Sequence, residues 1–286
     1  MKIPIAIVGL VLLSFLPLQG QELRTFAISV QDKDGKSVNS LTKDNFQVFE
    51  DRIPQQISSF LKEDVPLSIG LVIDNSGSMR TKRLRVNGAA LSFVRESNPE
   101  DQTFIVNFND TAKVEQDFTG SIGNLIDALD KLDTRGETAL YDAVYLSAEK
   151  VKSGRNAHKA LLVISDGDDT SSKHKYDEVL KLLKESFITV YAIGLIDERT
   201  SRKAREALQE FAAITGGAAY FPKSLDEIDD LCKRIARDLR NRYMIGYKSA
   251  NPKTDGSWRD VTVVVTQPKS PKLTWRNKPG YFATAK

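Results

Sequence analysis

The sequence predicts an α/β fold in which a doubly wound, mostly parallel, Rossmann-like sheet is inserted between two β-rich ends. Two apolar runs, Leu67–Ile73 and Ala160–Ile164, have the composition of strands that are buried on both faces of a parallel sheet. Strand and helix patterns alternate around them, which implies right-handed crossovers and helices on both faces of the sheet. The two ends of the chain carry alternating β patterns instead.

Length and charge limit the classes of partner. The 286 residues are 41% hydrophobic and 28% charged, which is enough for one full α/β domain and a smaller module. The 41 basic and 38 acidic residues are interspersed and leave a net charge of +3, so the chain lacks the basic patch of a nucleic-acid-binding protein. One basic cluster is interpreted as the solvated face of a helix start: Arg80, Lys82, Arg83 and Arg85.

The first twenty residues have the order of a secretory signal peptide. Lys2 precedes an apolar stretch that runs from Ile3 to Leu18, and the small residue Gly20 follows. The apolar core is short for a bilayer span, so we expect no membrane span after cleavage and a secreted, periplasmic or cell-envelope location. Cys232 is the only cysteine, which leaves no internal disulfide, and it is expected to be a buried, inert thiol on a helix.

We predict four parts in the chain: a signal peptide at 1–20, an N-terminal β segment at 21–64, the α/β domain at 65–242 and a C-terminal β segment at 243–286. Each β segment is too small to be stable alone, so we expect the two to pair into one small β-sandwich-like module. The alternative is two separate extensions packed on the central domain. The dipeptide Asp255-Gly256 is predicted to form a hairpin tip in the C-terminal segment.

A candidate ion-binding loop begins where the strand Leu67–Ile73 ends. Asp74, Ser76 and Ser78 recur at every second residue, so an extended or gently turning backbone would point their oxygens the same way. A carboxylate with two hydroxyls suits a hard cation such as Mg²⁺. The alternative is a turn whose Asp and Ser residues cap the following helix.

Two further residues are expected at the same edge of the sheet. The strand Ala160–Ile164 also ends in acid, at Asp166, and neighbouring parallel strands of a doubly wound sheet would bring Asp74 and Asp166 together at the ligand-binding edge. Thr138 lies on a loop at that edge, directly before a predicted helix. Its alternative role is a helix N-cap.

Three stretches resemble the von Willebrand factor A-type domain and its metal-ion-dependent adhesion site: LVIDNSGSM, GETALYDAV and LLVISDGDD. The similarity covers about residues 67–242. It implies five metal-binding positions: Asp74, Ser76, Ser78, Thr138 and Asp166. Glu137 stands where a small residue is common in the family. The flanking stretches, VQDKDGKSVNSLTKDNFQVFED and NKPGYFA among them, are similar to a bacterial secreted group of A-domain-related proteins with β flanks.

The resemblance implies a binding function that is not enzymatic. In related adhesion domains an Asp or Glu of a protein partner completes the coordination of the ion. We therefore expect Mg²⁺, with Mn²⁺ or Ca²⁺ as alternatives, and a protein partner that supplies a carboxylate. In related switching domains the terminal helix, here residues 225–242, shifts on binding. We expect this helix to open with a capping box made by Ser224 and Glu227.

Two other functional classes stay open. A metal-dependent hydrolase or phosphoryl-transfer enzyme would need an activated water and a positioned base, and the chain has two histidines, His158 and His174. His174 is interpreted as a solvated loop residue. The sequence has no nucleophile elbow, P-loop or Cys/His zinc spacing. The third class is a structural envelope component in which the ion only staples the loops together.

Overall fold

The computed structural model describes residues 22–62, 64–196, 202–267 and 272–284. The predicted signal peptide lies outside the described residues. The strands are β1 (Leu23–Gln31), β2 (Phe46–Glu50), β3 (Ile53–Gln55), β4 (Ile57–Leu61), β5 (Leu67–Asp74), β6 (Gln102–Phe108), β7 (Ala112–Thr119), β8 (His158–Ser165), β9 (Ile188–Gly194), β10 (Ala219–Tyr220), β11 (Arg242–Lys248), β12 (Trp258–Val265), β13 (Thr274–Arg276) and β14 (Gly280–Phe282). The α-helices are α1 (Arg83–Arg95), α2 (Ile122–Asp130), α3 (Leu140–Lys152), α4 (Tyr176–Glu185), α5 (Arg202–Ala213) and α6 (Ile228–Arg240).

The central sheet has six strands in the order β10-β9-β8-β5-β6-β7. β5 pairs in parallel with both β6 and β8, so the strand order reverses at β5. The edge strand β7 is antiparallel to β6, as its alternating pattern indicates. Ile73 lies opposite Ile164, so β5 and β8 end side by side, next to Asp74 and Asp166 respectively. This arrangement confirms the predicted fold class.

The strands at the middle of this sheet are buried on both faces because helices cover both of them. Every residue of β5 and of β9 is buried. Helices α1, α2 and α6 form one apolar core with the sheet, and α3, α4 and α5 form the other. Gly70 in β5 marks how tightly the second core is packed, since a Cβ there would lie 2.5 Å from Phe104 Cζ and 2.7 Å from Leu161 Cδ2.

The two ends of the chain form two further four-stranded sheets, in the orders β13-β1-β11-β4 and β14-β12-β2-β3. Each sheet contains strands from both ends: β1 pairs with β11 and β13, and β12 pairs with β2, all antiparallel. The side chains between the sheets form one core that includes Phe26, Val48, Tyr243 and Val263. The predicted pairing of the two ends is therefore confirmed, whereas the limits assigned to the four parts stay predictions.

One predicted hairpin is wrong, and another hairpin was not predicted. The strands on either side of Asp255-Gly256 are β11 and β12, which belong to different sheets, so this turn joins sheets rather than paired strands. β2 and β3 form the hairpin in the N-terminal segment. Its turn residues, Asp51 and Arg52, have φ of 49° and 69°, the left-handed region that two-residue hairpin turns require.

The last helix of the central domain starts differently from the predicted capping box. The Ser224 hydroxyl accepts a hydrogen bond from the N–H of Asp226 at 3.2 Å, at the start of a 3₁₀ turn, Leu225–Glu227. The α-helix α6 begins only at Ile228. Cys232 lies on its buried face, as predicted, and burial raises the pKa of this thiol to about 12.

Buried polar contacts join the β module to the central domain. Arg276 of β13 donates to the buried carboxylate of Asp238 on α6 at 2.6 Å. Lys278 donates to the carbonyls of Lys184 and Ser186 at 2.8 and 2.5 Å, at the carboxyl end of α4, where a cation is favoured. Among the described residues, no helix is both long and apolar enough to cross a membrane.

Candidate metal site

The first three candidate residues follow the central strand β5 as it leaves the sheet. Asp74 is the last residue of β5, and a 3₁₀ turn, Gly77–Met79, comes directly after Ser76. The Asp74 Oδ1 accepts a hydrogen bond from the N–H of Ser76 at 2.8 Å, which folds the loop back over the strand end. The side chains of Asp74 and Ser76 therefore stay buried at the sheet edge.

Hydrogen bonds connect this loop to the end of β8. The hydroxyls of Ser76 and Ser78 lie 3.1 Å apart, and Ser78 Oγ donates to Asp166 Oδ1 at 2.7 Å. Asp74, Ser76 and Asp166 are buried, with 1%, 2% and 5% of their surface exposed, whereas Ser78 is exposed. The cluster is therefore closed on the protein side and open to solvent at Ser78.

Thr138 reaches the same edge from the loop before α3. It is 6% exposed, and its N–H donates to Thr170 Oγ1 at 3.0 Å, which attaches this loop to the segment after β8. A Cβ placed on Gly167 would lie 3.6 Å from Thr138 Oγ1, so the threonine hydroxyl lies beside the residue that follows Asp166. Within the described part of the chain, this hydroxyl makes no direct hydrogen bond to the other four candidates.

Thr138 is not the cap of the helix that follows. The N-cap position of α3 is Ala139, and no side chain at that position caps the helix. The free amides of the first turn are bound instead by the loop after β8, because Asp169 Oδ1 accepts from the N–H of Tyr141 at 3.1 Å and Ser172 Oγ accepts from the N–H of Asp142 at 2.9 Å. The Thr138 hydroxyl thus has no capping role.

The buried carboxylate of Asp74 has a partner that sequence reasoning missed. Ser165, the last residue of β8, donates its hydroxyl hydrogen bond to Asp74 Oδ2 at 2.6 Å. Desolvation raises the pKa of Asp74, the hydrogen bonds from Ser165 and Ser76 oppose this, and the negative charge of Asp166 raises the pKa further. A cation at this edge would offset the cost of holding two carboxylates together. The sequence feature that could have identified Ser165 as part of the site is its position next to Asp166 at the end of a strand.

The prediction that Lys82 lies on a solvated helix face is wrong. Its ammonium forms an ion pair with Asp166 Oδ2, and its side chain is only 25% exposed. Arg85 of the same cluster agrees with the prediction, since its ion pair with Asp226 joins side chains that are 65% and 75% exposed. The structure therefore places one positive charge directly on the candidate cation site.

The oxygen atoms fit a small divalent ion. Ligands in an octahedron around Mg²⁺, at about 2.1 Å from the ion, are separated by about 3 Å along each edge. The Ser76–Ser78 and Ser78–Asp166 oxygen separations of 3.1 and 2.7 Å lie on either side of this value. The described residues contain no group of three or more His, Cys, Asp or Glu that could hold a metal, so any ion here depends on hydroxyl ligands.

The other acidic and imidazole groups nearby have structural partners. Asp168 Oδ1 accepts from the N–H of Ala204 at 2.8 Å, at the amino end of α5. His174 Nδ1 lies 2.7 Å from Asp142 Oδ1, and its ring stacks on Tyr145 at 3.9 Å between centroids. Neither group is aimed at the cluster around Asp166.

Residues 69–168 match the family model of the von Willebrand factor type A domain. The chain contains a von Willebrand factor type A (VWA) domain. The matched segment includes all five candidate metal-binding residues. No curated protein sequence matches the chain.

Solved structures share the fold of this VWA domain at low sequence identity. A von Willebrand factor type A protein from Catenulispora acidiphila is 12% identical, with a TM-score of 0.56 over 92% of this chain and 75% of that one. Proximal thread matrix protein 1 of the mussel byssus is 17% identical, with a TM-score of 0.56 over 67% of this chain and 51% of that one. The von Willebrand factor domain of the pilus tip protein Mfa5 from Porphyromonas gingivalis is 12% identical, with a TM-score of 0.50 over 62% of this chain and 97% of that one.

Proposed function

We propose that the VWA domain binds a divalent cation at a metal-ion-dependent adhesion site and uses it to bind an acidic group of a protein partner. The proposed ligands are Asp74, Ser76, Ser78, Thr138 and Asp166. The observation that carries the proposal is the hydrogen-bonded group of serine hydroxyls and carboxylate at the ends of β5 and β8, on which the Lys82 ammonium already rests.

The charge of the ligand set favours capture of a further anion. Two carboxylates and three neutral hydroxyls would leave a bound divalent ion with Lewis acidity toward an incoming carboxylate. Asp74 is held by Ser165 and by the backbone of Ser76, so its position does not depend on the ion. Ser78 is the exposed member, and it marks the side from which a partner carboxylate would enter.

We propose Mg²⁺ as the ion, with Mn²⁺ or Ca²⁺ as alternatives. All five ligands are hard oxygen donors, which Mg²⁺ and Mn²⁺ prefer, and the described cluster offers no sulfur or imidazole. A second structure of the mussel thread protein is described as having a zinc-occupied MIDAS (metal-ion-dependent adhesion site) motif. It is 17% identical to this chain, with a TM-score of 0.53. Zinc is therefore a useful comparison ion in a binding assay.

We also propose that the protein is exported and acts without catalysis. The proposal of export, to the periplasm, the envelope or the outside, is based on the predicted signal peptide and on neighbours described as a pilus tip protein and a byssus matrix protein. The binding role is preferred over an enzyme because His174 is paired with Asp142, and Asp168 and Asp169 bind backbone amides. No group described near the cluster is left in the role of a general base.

The test of this function measures the ion and the partner separately. Mn²⁺ binding is followed by electron paramagnetic resonance for the purified chain and for Asp74→Ala, with Asp133→Ala as control because Asp133 is an exposed acid with 74% of its side chain in solvent. We expect Asp74→Ala to bind Mn²⁺ at least tenfold more weakly and the control to bind normally. Unchanged binding in Asp74→Ala would rule out the proposed site.

The partner is tested by capture from the native cell envelope in Mg²⁺ and in chelator. We expect a protein that is retained in Mg²⁺ and lost both in chelator and with Asp74→Ala. A partner recovered equally in every condition would contradict metal-bridged binding. Thermal melting separates this role from a structural staple, because a staple predicts that Asp74→Ala unfolds the protein, whereas an exchangeable site predicts a folded variant that does not bind.

A further inference from the structure

A second concave site lies at the opposite edge of the central sheet. A cavity of about 400 Å³ is enclosed between the amino ends of β5, β8 and β9 and the strands β1 and β11 of the β module. Its size is within the range of about 300–1,000 Å³ that is usual for small-molecule sites. The cavity exists because the two modules meet there, and neither the sequence motifs nor the proposed ion site involves it.

Arg242 supplies an incompletely bonded cation to this cavity. It is only 9% exposed, and its Nη1 donates to Thr189 Oγ1 at 2.9 Å. Its Nη2 is buried and has no hydrogen-bond partner among the described residues. Asp238, four residues earlier near the end of α6, pairs with Arg276 instead. A buried guanidinium without an acidic partner among the described residues is costly, so Arg242 favours an anionic ligand in the cavity that it lines.

The other charged groups of the lining are also cationic. Lys159 and Lys278 line the cavity, and both are held by backbone carbonyls, Lys159 by Gly154 O at 2.6 Å. His158 also lines the cavity, and its pKa is lowered by burial and then by the charges of Arg242 and Lys159. Among the described residues, Arg24 is the one lining cation with an acidic partner, Glu22, at 3.0 Å. Within the described lining there is no Asp or Glu.

The rest of the lining is apolar and specifies the body of a ligand. Phe26, Leu67 and Ile188 are buried wall residues. Leu23 and Phe187 also line the cavity, yet they are 45% and 53% exposed, so they form an apolar rim toward solvent. Because the two lysines are already bonded to backbone carbonyls, an inorganic dianion would find few free donors here, whereas a molecule with one carboxylate and a hydrocarbon chain would match both the guanidinium and the walls.

We propose that this cavity binds a small monocarboxylate with an apolar chain, the carboxylate paired with Arg242 and the chain packed between the two modules. The site is independent of the proposed cation site, which lies at the other end of the same strands. A ligand here would contact β1 and β11 of the β module together with β8 and β9 of the VWA domain, and would stabilise their junction.

The test is isothermal titration calorimetry of the purified chain in the presence of chelator. The probes are decanoate below its micelle concentration, decanol as the uncharged comparison, and inorganic phosphate. We expect decanoate to bind at one site, at least tenfold more tightly than decanol, and phosphate not to bind. Arg242→Met is expected to weaken decanoate binding at least tenfold, and the control Arg202→Met, whose side chain is 89% exposed, to leave it unchanged.

A second variant covers the case in which Arg242→Met does not fold. Ala27→Leu keeps Arg242 and adds three carbons to the cavity wall, so it is expected to weaken decanoate binding while leaving circular dichroism unchanged. Equal affinity for decanol and decanoate, no binding of decanoate, or full binding by Ala27→Leu would each overturn the proposal. Binding of phosphate in place of decanoate would overturn the assigned ligand class.

Discussion

The ion pair between Arg276 and Asp238 is expected to be a major stabilising link between the β module and the VWA domain. Asp238 is 0% exposed, and its Oδ2 accepts hydrogen bonds both from Arg276 Nη2 at 2.6 Å and from the Tyr191 hydroxyl. Arg276→Met removes the only cation paired with this carboxylate among the described residues and leaves the Tyr191 hydroxyl as its sole donor. The variant therefore buries an unpaired negative charge.

The size of the effect follows from burial. Removing one partner of a buried pair costs about 3–5 kcal/mol of unfolding free energy. The Arg276 side chain is itself 25% exposed, so part of its charge is solvated and the lower end, about 3 kcal/mol, is expected. For a domain of this size that loss corresponds to a melting temperature lower by about 6–12 °C. Arg202→Met serves as the exposed control, with an expected loss below about 0.5 kcal/mol.

The assay is urea unfolding followed by circular dichroism for a double-mutant cycle of Arg276→Met and Asp238→Asn. Because the cycle cancels the weak contact of Arg276 with Gln31 at 3.3 Å, the coupling free energy reports the ion pair alone. We expect a coupling of about 2 kcal/mol or more. A single-variant loss below about 1 kcal/mol, or a coupling near zero, would refute the assignment of this pair as a stabilising link.

Three further predictions concern the candidate site and the two cores. Lys82→Met removes the ammonium that competes for Asp166, so Mn²⁺ affinity measured by electron paramagnetic resonance is expected to rise about tenfold, or ~1.4 kcal/mol; equal or weaker binding would contradict the competition. Gly70→Ala places a Cβ 2.5 Å from Phe104 and is expected to lower the free energy of urea unfolding by about 1–3 kcal/mol; a neutral effect would show that the core can relax. Cys232, with a pKa raised to about 12 by burial, is expected not to react with a thiol reagent at pH 8 until the protein is unfolded in urea; rapid labelling of the native protein would show that α6 opens.

The local part of the site could be predicted from the sequence because neighbouring residues determine it. The alternation of Asp74, Ser76 and Ser78 after a buried strand places three oxygens on one loop, and the structure joins them to Asp166 through Ser78. Lys82 could not be placed in this way, since its partner lies 84 residues away and a basic residue near a helix start is usually solvated. The ion pair between Lys82 and Asp166 depends on how the start of α1 is placed relative to the end of β8.

Strand pairing in the β module was predictable only in part. Two short β segments at the chain ends require partners, so their association followed from their size. Which strands would pair did not follow: the chain bends at Asp255-Gly256, yet the strands around it enter different sheets. The β2–β3 turn was missed for a related reason, because Asp51 and Arg52 adopt positive φ without the glycine that usually signals such a turn.

We expect the contacts of helix α6 to oppose a slide of one turn along its axis. Its carboxyl half is attached to four other segments of the chain, by Arg237 to Glu96 at 3.2 Å, by Asp238 to Tyr191 and Arg276, and by Arg240 to Asp101. A slide of one turn moves these groups about 5.4 Å and breaks all of the contacts together. We therefore expect a partner carboxylate to gain affinity from the ion itself rather than from a displaced helix.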